Sequence, residues 1–107
     1  GDDSMTLPMM ALGARGVVSI ASHILGNEIK AMIEAFTAGN IERARELHIK
    51  LFPAFKGLFI TTNPIPLKAA LNLMGMEVGG VRLPLIDADD AQVESVRALL
   101  KLYDLIA

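Results

Sequence analysis

The chain has 107 residues, is 52% apolar and carries a net charge of −2, with a mean hydropathy of +0.45, so it holds one domain at most and is rich in apolar side chains for its size. It has no cysteine, which excludes disulfides and thiolate metal sites and suits a reducing cytoplasm, the expected location. Interspersed charges of both signs leave no nucleic-acid footprint; no apolar run approaches the ~18 residues of a membrane span; and Gly1-Asp2-Asp3-Ser4 lacks the basic start of a signal peptide.

In chain order, residues 4–13 read as a short helix. Asp3 or Ser4 can cap it, Asp2 and Asp3 favour its positive end, and Pro8 is tolerable only in its first turn. Gly16-Val17-Val18-Ser19-Ile20-Ala21 is a short β-branched run and predicts a strand, apolar on both faces as in a buried parallel sheet. From Asn27 the period becomes helical. Ile29, Met32, Ile33 and Phe36 mark one face of a helix over 28–38, which Gly39 closes. Asn40 caps a second helix, 40–57, with Ala44, Leu47, Leu51 and Phe55 inward, a mixed-charge outer face, and Pro53 kinking rather than ending it.

The stretch Asn63-Pro64-Ile65-Pro66-Leu67-Lys68 predicts a helix start, with Asn63 as cap and both prolines among the donors that lack a helical partner. This helix spans 64–74 and stops at Gly75. Residues 75–87 read as extended coil. Asp87 to Asp90 cap a last helix, 88–105, with Val93, Val96, Leu99, Leu100 and Tyr103 on its apolar face.

Asn63-Pro64-Ile65-Pro66-Leu67-Lys68-Ala69-Ala70-Leu71, then Met74-Gly75 and Val81-Arg82-Leu83-Pro84-Leu85, resemble the C-terminal region of the dihydrodipicolinate synthases. These belong to the pyruvate-dependent class I aldolases that include N-acetylneuraminate lyase. The resemblance runs from Gly1-Asp2-Asp3 through Gly16-Val17-Val18-Ser19 to the last helix. It implies a (β/α)8 barrel with a C-terminal helical extension. A barrel alone needs ~250 residues, so the chain is expected to be the last third of such an enzyme. The fold class is then mainly α, with 1–26 as the remnant of the barrel end, containing its last strand, and 27–107 as the helical extension. The implied activity is condensation of pyruvate with aspartate semialdehyde through a lysine Schiff base, on the route to lysine. It needs no metal or organic cofactor.

The resemblance places Gly1 at the end of the seventh barrel strand, lining the pyruvate pocket through its backbone. It places Val18 on the eighth strand, at a usually isoleucine position beside the Schiff base. For a chain standing alone, a cap glycine and a core valine are the plain alternative. The Schiff-base lysine and the proton relay fall upstream of Gly1. Lys68, in the first turn of a capped helix, is read as a surface or packing residue and not as the nucleophile, so the chain alone is expected to be inactive. His23 and His48 have no third ligand patterned near them, and Asp87, Asp89 and Asp90 lack the glycine and glutamate of a calcium loop. Two other readings stay open: a neuraminate-lyase-type aldolase, and a non-catalytic helical module that binds a partner through its apolar surface. With no second strand to pair with, 17–21 is expected either to pair with the same segment of another copy or to abandon the strand and merge into a helix. Either leaves the Met5–Leu12 stripe seeking cover, which predicts a homo-oligomer formed largely through residues 4–25, with exchanged elements as one form of it.

Overall fold

The computed structural model describes residues 1–107 as helices joined by irregular segments. In order they are a single 3-10 turn (Asp3–Met5), α1 (Thr6–Met10), α2 (Ser22–Thr37), α3 (Ile41–Gly57), α4 (Ile65–Leu73) and α5 (Asp90–Leu102). No helix is long and apolar enough to cross a membrane. The chain divides into two units, Gly1–Phe55 and Lys56–Ala107.

In the first unit, Asp2 accepts from the amide and hydroxyl of Ser4 and so caps the 3-10 turn. The predicted helix over 4–13 is shorter than its apolar pattern, because its first turn is wound as 3-10 and Gly13 adopts a left-handed φ of 105°. The helix α1 packs on α2. The predicted strand at 16–21 is absent. A strand needs a neighbour to complete its backbone hydrogen bonds, and the chain contains no other strand. Ile20 and Ala21 instead wind into the next helix, their carbonyls accepting from the amides of His23 and Ile24.

Helix α2 therefore starts at Ser22 and not near residue 28 as predicted. Leu25 leaves helical geometry (φ −133°, ψ 36°), so the regular period that the sequence shows begins only beyond this break. Ile24, Leu25, Ile29 and Met32 are its buried side chains. Its end has a local explanation. Gly39 takes a φ of 84°, and the amide of Asn40 bonds the carbonyl of Ala35 at 2.8 Å, a reversal that glycine allows without a Cβ penalty. Asn40 then accepts from the amide of Arg43 at 3.2 Å and opens α3. Pro53 lies inside α3, which continues through it to Gly57. Ala44, Leu47, Leu51, Ala54 and Phe55 form its buried stripe.

In the second unit, α4 packs on α5. The cap of α4 differs from the prediction by one residue. Pro64 occupies the cap position, no side chain caps the helix, and the lead-in turn is closed by the backbone, with the amide of Ile65 on the carbonyl of Thr62 at 2.9 Å. Pro66 falls in the first helical turn, where no amide is missed. Gly75 reverses the chain with φ 88°. Asp89 and Gln92 form a reciprocal capping box at the start of α5. Val96, Leu99 and Leu100 are the buried face of α5.

Candidate functional site

The two residues singled out by sequence, Gly1 and Val18, line one concavity of about 390 Å³ in the first unit, together with Met5, Met9, Gly16 and Val17. A Cβ on Gly1 would sit 3.5 Å from Cγ2 of Val17, so the backbone at Gly1 closes on this wall at van der Waals distance. The wall is mostly apolar, with Asp2 and Thr6 also at it, and exposed: Val18 is 85% exposed. Such a surface can hold the hydrophobic side of a small substrate but carries no lysine.

The segments that carry Gly1 and Val18 are joined by hydrogen bonds to a residue that the sequence assigned only to a helix end. Asp3 is 1% exposed. One carboxylate oxygen accepts from the hydroxyl of Ser19, and the other accepts from the amides of Ile20 at 3.1 Å and Ala21 at 3.0 Å. The Ser19 hydroxyl in turn accepts from the amide of Ser22 at 2.9 Å. Three successive amides at the start of α2 are thus satisfied by side chains. These are the donors that a helix start leaves without partners, and a negative charge suits them. Asp3 caps α2, 16 to 18 residues downstream, instead of the helix that follows it.

Lys68 lies in the second unit, on a separate concavity of about 390 Å³ bounded by α4, α5 and residues 79–88. Its ammonium donates to the carbonyl of Gly80. Asn72 brackets the same segment, donating to the carbonyl of Gly79 at 2.9 Å and accepting from the amide of Val78 at 3.0 Å. Asp87 accepts from the amide of Val81 at 3.2 Å. Lys68 and Asn72 therefore hold 78–80 against α4, and Asp87 closes the segment on itself, a role for Lys68 that its place in a first helical turn did not reveal.

His23 is exposed, its Nδ1 3.0 Å from the carbonyl of Ile20. His48 stands against Phe52 and Phe55, ring centroids 5.8 and 6.2 Å away. Its Nδ1 is buried without a hydrogen-bond partner, and loss of hydration holds its pKa below the ordinary 6.5. No group of three or more His, Asp or Glu side chains comes together in a way that could hold a metal ion.

Comparison with known proteins matches residues 1–103 to the dihydrodipicolinate synthetase family, and the chain belongs to that family. A 4-hydroxy-tetrahydrodipicolinate synthase of Desulforamulus reducens is 59% identical over 100 residues, which are 94% of this chain and 34% of that protein. The crystal structure of the Cyanidioschyzon merolae enzyme with lysine bound superposes with a TM-score of 0.96 at 46% identity, covering 99% of this chain and 36% of that one. The chloride-inhibited enzyme of Acinetobacter baumannii complexed with pyruvate gives a TM-score of 0.92 at 33% identity, covering 99% of this chain and 36% of that one. The chain thus spans about a third of the length of the relatives it matches. It is mainly helical and corresponds to the C-terminal part of the family's (β/α)8 barrel, with the helical extension.

Proposed function

We propose that this chain forms the C-terminal third of an enzyme that condenses pyruvate with aspartate semialdehyde through a lysine Schiff base, in the synthesis of diaminopimelate and lysine. The observation that carries the reading is the 59% identity to a 4-hydroxy-tetrahydrodipicolinate synthase over 94% of the chain. The pyruvate complex of a 33% identical relative supports pyruvate as first substrate. In this reading residues 1–26 close the barrel and 27–107 are its helical extension. The backbone at Gly1 and the side chain of Val18 line the pyruvate pocket, and their shared concavity supports the assignment. Barrel chemistry sits at the C-terminal ends of strands, which suits this assignment of both residues.

The chain by itself contributes walls and no nucleophile. Lys68 is engaged with the carbonyl of Gly80, and in this reading the Schiff-base lysine and proton relay belong to the part of the barrel upstream of Gly1. The exposed apolar side chains of Met9, Leu12 and Val18 support self-association of the enzyme, in the cytoplasm. The direct test is an assay of pyruvate and aspartate semialdehyde condensation with the full-length gene product and with residues 1–107 alone. The reading expects turnover from the first and none from the second. A full-length product with no turnover, or a reading frame without barrel strands before Gly1, would overturn it.

A further inference from the structure

We propose that Asp3 is a positioning residue for the pyruvate pocket: its buried carboxylate fixes the backbone that presents Gly1 against the turn that presents Val18. The inference rests on the function proposed above and adds a residue to it. Gly1 is two residues before Asp3, and Val18 is one residue before Ser19, so each pocket residue is separated from the clamp by at most two peptide units. Between them stand three hydrogen bonds, to the Ser19 hydroxyl and to the amides of Ile20 and Ala21. The pocket wall of Met5, Met9 and Val17 is apolar and non-directional, and cannot set a register by itself. A carboxylate is acceptor-only when ionised, and charge-assisted bonds to it are short and directional. Both oxygens of Asp3 are occupied and the residue is 1% exposed, so it acts through Gly1 and Val18 and does not touch the substrate.

The experiment uses the full-length protein, with Asp3→Ala and Ser19→Ala beside the unmodified enzyme. Reducible sites are counted by trapping with saturating pyruvate and borohydride, and KM for pyruvate and kcat are measured per trapped site. The KM for pyruvate should rise on the order of tenfold in Asp3→Ala, because a small displacement of a substrate-contacting wall has effects of this size or larger. Ser19→Ala keeps both amide bonds and should shift KM in the same direction by less. A residue that merely stabilises the fold would lower the melting temperature and the number of trappable sites, with KM per remaining site unchanged; that result overturns the proposal. If Asp3→Ala does not fold, Ser19→Ala decides, and an unchanged KM there overturns it. An unmodified full-length protein that takes no pyruvyl adduct removes the proposed function itself, and this inference with it.

Discussion

His48 shows how a single side chain couples stability to pH. Its folded pKa lies below the ordinary 6.5, because the ring is desolvated beside Phe52 and Phe55. The unfolded chain therefore takes up a proton at a higher pH than the folded one. Stability rises with pH wherever the unfolded state binds more protons, so this contribution is intact above the ordinary value and is lost as pH falls below it toward the folded value. Denaturant midpoints between pH 8 and 5 should show that loss, and His48→Leu should flatten the curve across this window. An unchanged slope in His48→Leu would place the sensitivity elsewhere. The sequence showed only that His48 has no further metal ligand patterned near it and could not show that Nδ1 has no partner, which depends on neighbours fixed only in the fold. Asp3 is the stronger case. Its partners lie 16 to 18 residues away, and no helical or strand period links such positions, so sequence offered only its local use as a cap. The place of Lys68 in a first helical turn was legible, while its bond to Gly80 was not.

At the scale of elements, what was legible was what is encoded locally. Gly39, Gly75 and the capping box of Asp89 and Gln92 each complete their hydrogen bonds within a few residues, and the helix ends they form lie within a few residues of their predicted places, whereas the start of α2, which depends on Asp3, does not. Residues 16–21 failed as a strand for the opposite reason: a ladder needs a partner that local sequence cannot supply. The contact between Gly57 and Leu99, both within Lys56–Ala107, gives a test. A Cβ on Gly57 would come within 2.8 Å of Cδ2 of Leu99, and Leu99 is itself buried. Overpacking of this kind costs ~1–3 kcal/mol, against a helix-propensity gain of at most ~1 kcal/mol for Gly→Ala. Gly57→Ala should therefore be destabilising by about 1 kcal/mol. In Gly57→Ala/Leu99→Ala the loss should be less than the sum of the single changes, since the second removes the atoms that the first strikes. Strict additivity in denaturant unfolding would show that the approach is not limiting.

For the molecule as a whole, the relevant fact is that the chain spans about a third of the length of its relatives. Leu12 is 90% and Val18 is 85% exposed, Met5 and Met9 are exposed as well, and Met5, Met9 and Val18 line one concavity. Contiguous apolar surface of this kind drives association. Light scattering of residues 1–107 should therefore report an oligomer, and Val18→Asp should shift it toward monomer. A monodisperse monomer at high concentration, or an oligomer untouched by Val18→Asp, would place the interface elsewhere. The central claim, that this chain builds one side of a pyruvate site and supplies no nucleophile, is tested most directly by treating the full-length protein and residues 1–107 with pyruvate and borohydride and mapping the adduct by mass spectrometry. The account predicts one pyruvyl group on a lysine that precedes Gly1 in the full-length protein and none on residues 1–107. An adduct on Lys68, or none on the full-length protein, would contradict it.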